Sequence, residues 1–161
     1  MNRFGYKAYT VEEATRKLER YCAYQERCHS EVVEQLRRMR MIPEAIDQIV
    51  VHLIQHEFLN ETRFALAFVR GKFRQKGWGP LRLSAELRNK GVSENLISRS
   101  LDAISEDEYA RRFQEVAARK ADTLKEEDRE KARQKLFHYL YYRGWEKDRI
   151  YGALREHFPG G

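Results

Sequence analysis

Apolar residues recur at three- and four-residue spacing through most of the chain, and no stretch sustains the alternation of a half-buried strand. The pattern predicts an all-α protein. Helix punctuation is frequent. Thr10 with Glu13 and Ser105 with Glu108 fit capping boxes, in which paired side chains satisfy the free amides of a first turn. Pro43 and Pro80 suit first-turn positions, where a missing amide hydrogen costs nothing, and Gly91 and Gly144 suit left-handed C-terminal caps. Helices of about a dozen residues joined by short turns follow.

Anchoring on these caps brings out an internal repeat. Leu36, Met41, Ile46 and Val50 correspond to Leu87, Val92, Ile97 and Leu101, and again to Leu140, Trp145, Ile150 and Leu154. Each unit opens on an i, i+4 pair that shares one helix face: Ala14 and Leu18, Phe64 and Phe68, Tyr109 and Phe113. The spacing predicts three tandem three-helix repeats, over residues 10–58, 59–104 and 105–158, with tails at 1–9 and 159–161. A single unit buries too little to stand alone. The units are therefore expected to stack into an elongated, curved array rather than a compact bundle. The charge-rich stretch 120–133 reads either as an extended helix end or as a mobile loop.

Composition agrees with a modular body. At 42% hydrophobic and 35% charged, the 161 residues leave little for one thick core. No segment reaches the roughly 20 apolar residues of a spanning helix, and residues 1–9 lack the apolar region of a secretory signal. A cytoplasmic location with no membrane contact is expected. Cys22 and Cys28, six residues apart in what reads as one helix, predict buried or half-buried thiols and no disulfide. The net charge of +6 is unevenly placed: Lys and Arg number 9 against 9 Asp and Glu over residues 1–58, 9 against 4 over 59–104, and 13 against 12 over 105–161. A basic middle third points to a binding role towards phosphates or acidic side chains.

That middle third also carries the most distinctive text: Phe58-Leu59-Asn60-Glu61-Thr62-Arg63-Phe64, Phe68-Val69-Arg70, Lys76-Gly77-Trp78-Gly79-Pro80, Glu86-Leu87 and Lys90-Gly91-Val92. Each part has a folding role. Asn60 can cap a helix opening at Glu61, Gly77 and Gly79 allow a tight turn around Trp78, Pro80 starts the next helix and Gly91 ends it. As a whole the stretch resembles the central repeat of the RecX family. The resemblance covers residues 10–158, with about 35 residues carrying its specificity. It implies a non-enzymatic regulator in DNA repair, homologous recombination and the SOS response, one that lies in the groove of the RecA nucleoprotein filament and restrains filament growth, ATP hydrolysis and strand exchange.

On a helix from residue 60 to 75, Arg63, Arg70 and Arg74 fall within about 20° of one line. Lys72, Lys76, Arg82, Arg88 and Lys90 add charge around this stripe, and these eight residues are the candidate partner-binding set. Phe64 and Phe68 at helical spacing read as core, and Trp78 as a cap on it. Other chemistry is not indicated. The Gly77-Trp78-Gly79 segment lacks the strand, third glycine and lysine of a phosphate loop. Cys22, Cys28, His29, His52 and His56 lack zinc-site spacing. Ser84, Ser93 and Ser98 lack the context of a nucleophile. The expectation is a monomer without catalytic residues, metal or cofactor. A rival reading is an independent, sequence-nonspecific nucleic-acid-binding helical protein, touching single- or double-stranded DNA.

Overall fold

A computed structural model describes residues 8–160, so parts of both expected tails (1–7 and 161) lie outside the described residues. Among those described there are nine helices and no strand: α1 (Val11–Tyr24), α2 (His29–Arg38), α3 (Pro43–Gln55), α4 (Glu61–Lys76), α5 (Pro80–Asn89), α6 (Glu94–Asp102), α7 (Glu106–Thr123), α8 (Arg129–Tyr142) and α9 (Lys147–His157). They pack in threes, α1 and α2 against α3, α4 and α5 against α6, and α7 with α8 and α9. We call these triplets units one, two and three. None of these helices is long and apolar enough to cross a membrane.

The starts follow the local chemistry. Thr10 and Ser105 form complete capping boxes with Glu13 and Glu108. The Asn60 side chain accepts the Arg63 amide at 3.0 Å. Pro43 and Pro80 stand in the first turns of α3 and α5.

The repeat has a physical identity at the second helix of each unit. Met41 N donates to Leu36 O at 3.1 Å, Val92 N to Leu87 O at 3.1 Å, and Trp145 N to Leu140 O at 3.2 Å. The residue before each donor bonds one turn back as well: Arg40 to Arg37, Gly91 to Arg88 and Gly144 to Tyr141. This paired closure is the Schellman motif, which turns the chain through a left-handed residue and sets an apolar side chain against the last turn. Arg40 (φ 60°) occupies in unit one the place of Gly91 (φ 83°) and Gly144 (φ 87°). The leucine-to-isoleucine spacing is thus a helix end, a left-handed corner and the first turn of the next helix.

Two apolar cores result. Ala14, Leu18, Val32, Leu36, Ile49 and Leu53 belong to a core of unit one alone. Units two and three share a second, running from Phe64, Val69 and Phe73 through Tyr109 and Phe113 to Leu136, Trp145 and Ile150. The shared core is sealed by main-chain bonds between corners: Gly79 N donates to Arg143 O at 2.8 Å and Leu81 N to Gly144 O at 3.0 Å. Trp145 Nε1, fully buried, donates to Gly77 O at 3.0 Å. Arg112 of α7 donates to the carbonyls of Phe73 (3.0 Å) and Arg74 (2.9 Å), satisfying the open end of α4.

Unit one meets unit two mainly through polar groups. Arg63 reaches the Glu26 carboxylate at 3.0 Å and Glu57 O at 2.8 Å. Ser30 Oγ donates to Lys90 O at 2.9 Å, and Lys90 Nζ lies 3.7 Å from Glu31. Apolar contact across this joint comes from Cys28, fully buried in the core of units two and three, and from Leu59, between α3 and α4, which packs into the core of unit one.

Three expectations are corrected in detail. Cys22 and Cys28 do not share a helix, because α1 ends at Tyr24 and Cys28 is the N-cap of α2. Gly79 has an ordinary φ of −87°, and its glycine is needed for proximity: a Cβ there would sit 2.6 Å from both Gly144 O and the Trp145 ring. The 120–133 stretch is neither all helix end nor a long loop, since α7 runs to Thr123, α8 begins at Arg129, and Leu124 between them is buried.

Both cysteines are free thiols. Burial pushes Cys22 up to about 11 and raises Cys28 above the ordinary thiol range. Neither offers much thiolate, the reactive form, at neutral pH. A chromogenic disulfide reagent at pH 8 is expected to label both slowly in the folded chain and promptly after denaturation. Fast labelling of Cys28 alone would mean that the joint between units one and two opens readily.

Candidate partner-binding face

The eight basic residues singled out by sequence divide into two groups. Five are engaged within the fold. Arg63 leaves the expected stripe to clamp Glu26 and Glu57. Arg88 pairs with Glu94, which it holds below the usual carboxylate range through a charge-assisted bond. Lys90 reaches Glu31. Lys72 lies 5.8 Å from the Phe68 ring centroid and 5.5 Å from that of Trp78. Arg82 is set between two rings, 4.0 Å from Trp78 and 4.6 Å from Tyr142, with Glu86 at 3.6 Å.

The other three are Arg70, Arg74 and Lys76, all exposed on α4. Among the described residues no carboxylate pairs with them. Arg70 and Arg74 are one helical turn apart, whereas Lys76 points about 120° from Arg70 and about 160° from Arg74 around the axis, so together they surround the C-terminal half of α4 rather than mark one line. Two of them lie in the last turn, where the helix dipole favours cations. Arg112 takes up the carbonyls at that end, so these three side chains are not drawn into capping it.

Trp78 is half-buried rather than a plain core cap. It packs beside Phe68 at 6.2 Å between centroids and carries cations over its face. Phe64 is buried, as its spacing predicts.

The histidines make local contacts. His52 Nε2 lies 2.8 Å from the Glu19 carboxylate, and the His52 and His56 rings are 4.3 Å apart. Among the described residues no three His, Cys, Asp or Glu side chains gather as a metal-holding group.

Sequence reasoning passed over α8. Its core side is Ala132, Leu136 and Leu140, yet Phe137, Tyr139, Tyr141 and Tyr142 lie off that side. Phe137 and Tyr141 stack at 5.7 Å and 12°. Arg143 and Lys120 lie over Tyr139, and Lys147 over Tyr141. The run Tyr139-Leu140-Tyr141-Tyr142 carried a signal: three tyrosines around one leucine cannot all face the core of a single helix.

Three comparisons bear on this architecture. Residues 60–101, the second unit, match the family model of the second three-helix domain of RecX. The chain is 37% identical over 109 residues to the regulatory protein RecX of Yersinia enterocolitica, covering 67% of this chain and 63% of that one. It is 35% identical over 115 residues to that of Serratia proteamaculans, covering 71% and 66%. The matched stretch thus spans somewhat less than two thirds of these relatives. In fold, a crystal structure of RecX from Lactobacillus salivarius superposes with a TM-score of 0.76 at 21% identity, covering 91% of this chain and 95% of that one. With its most distinctive unit matched as a domain, its sequence aligned across units and its all-helical repeat fold shared, the chain belongs to the RecX family.

Proposed function

We propose that this chain is a regulatory protein that binds the RecA nucleoprotein filament and restrains its ATPase and recombinase activity. On this reading it acts in the cytoplasm as a monomer, in DNA repair and recombination, without turnover or cofactor, through units spanning residues 10–58, 59–104 and 105–158. Its relatives' name, regulatory protein RecX, supports the regulatory role. One observation carries the choice of face: among the described residues Arg70, Arg74 and Lys76 stay exposed without carboxylate partners, while Arg63, Arg88 and Lys90 are paired with glutamates. Unpaired cations attract acidic side chains or phosphates at little desolvation cost.

The test is the ATPase rate of RecA on single-stranded DNA, titrated with the wild-type chain and with Arg70→Ala/Arg74→Ala/Lys76→Ala. The wild type should lower the rate at amounts well below the DNA sites. Three exposed contacts at up to about 1 kcal/mol each should make the variant roughly ten- to a hundredfold weaker, with unchanged helicity. Equal potency of the two proteins would remove this face from the proposal. The same cations favour a second reading, direct nucleic-acid binding. It predicts affinity for bare DNA that falls steeply with salt and needs no recombinase.

A further inference from the structure

Beside the basic end of α4 lies a second surface. At the start of α5 and the end of α8, a depression is lined by Leu81, Arg82, Glu86, Tyr141, Tyr142 and Gly144. Its three large side chains are unusually open for their type: Leu81 is 53% exposed, Tyr141 51% and Tyr142 69%. Its cation is the reverse. The Arg82 side chain, 22% exposed, is fixed between the Trp78 and Tyr142 rings and donates to Tyr142 O at 3.3 Å. The floor is rigid, because the Leu81–Gly144 and Gly79–Arg143 main-chain bonds lock the two helix corners together.

We propose that this depression is a docking site for a protein segment that presents an apolar side chain next to a carboxylate. The proposal rests on the filament-binding reading and places an anchor of that contact at the junction of units two and three. Arg82 is already ordered, so engaging it loses little conformational entropy, and tyrosine, with two side-chain torsions, loses less than a long flexible side chain. Tyrosine and arginine are, with tryptophan, enriched among the few residues that carry most binding energy at protein interfaces. An incoming carboxylate would take the Glu86 place at Arg82 while its apolar neighbour covers Leu81 and Tyr142.

A nucleic acid fits less well. It brings a phosphate with every nucleotide, whereas the depression offers a single guanidinium, enough for one carboxylate. Stacking would be confined to one face of each tyrosine, since Phe137 takes the other face of Tyr141 and Arg82 lies over Tyr142.

The test measures the full chain by co-sedimentation with RecA filaments preassembled on single-stranded DNA, and by fluorescence anisotropy on bare single strands. Leu81→Ala/Tyr142→Ala should keep the wild-type circular dichroism, lose at least tenfold in filament affinity, and stay within twofold of wild type on bare DNA. Leu81→Glu, which sets a like charge against the incoming carboxylate, should show the same loss. Filament affinity within twofold of wild type for both variants would overturn this inference alone. An equal loss on bare DNA would overturn it in favour of a nucleic-acid surface. Failure of the wild-type chain to bind filaments would overturn the proposed function and this inference with it.

Discussion

Alanine at Gly144 is expected to destabilise the fold by about 3 to 5 kcal/mol, whereas alanine at Gly91 should cost only about 1 to 2. The two glycines hold the same place in successive units, with φ of 87° and 83°, so the left-handed penalty is common to both. Their surroundings differ. A Cβ at Gly91 meets nothing within 4 Å, while one at Gly144 would lie 2.2 Å from Arg82 N and 2.3 Å from Arg82 Cβ. Arg82 N is main chain, so relief requires moving the start of α5, and with it the Leu81–Gly144 bond that joins units two and three. Urea unfolding of the two variants side by side reads the difference. Equal losses would show that the corners do not touch as closely as described.

Loss of Trp145 should be comparably severe. Trp145→Ala is expected to cost about 3 to 5 kcal/mol, since it empties the centre of the shared core. The indole is fully buried and meets Phe113 at 5.2 Å, Tyr109 at 6.4 Å and Phe73 at 6.5 Å between centroids. Trp145→Phe isolates one part of this: it keeps most of the apolar contact but strands Gly77 O, at about 1 to 3 kcal/mol for an unmet buried acceptor. Because Gly77 is the C-cap of α4, that variant should also loosen the last turn of α4, visible as faster amide exchange there than at the end of α9. A phenylalanine variant as stable as wild type would mean that the indole bond contributes nothing.

These two sites show where sequence reading stopped. The corner at Gly144 was legible as a helix end, because the left-handed requirement is local. Its contact with Arg82 was not, since sixty-two residues separate the two in sequence. The basic face divides in the same way. Charge counting found the eight cations, but Arg63, Arg82, Arg88 and Lys90 proved to be paired by Glu26, Glu86, Glu94 and Glu31. Glu26 and Glu31 come from unit one, so no reading of the middle unit alone would have shown that two of its cations are occupied.

The all-helical class, the capping boxes of α1 and α7, the proline starts of α3 and α5 and the left-handed corners at Gly91 and Gly144 were legible in the chain itself, because each depends on chemistry within a few residues; the corner at Arg40 and the break before Cys28 carry no glycine or proline and were not. Tertiary structure alone decided that units two and three fuse around Trp145 while unit one keeps its own core and a polar joint. It also decided which cations remain open and where tyrosines of α8 meet the start of α5. Those outcomes depend on groups brought together from distant segments, and pairing or close approach between them exists only once the units are docked.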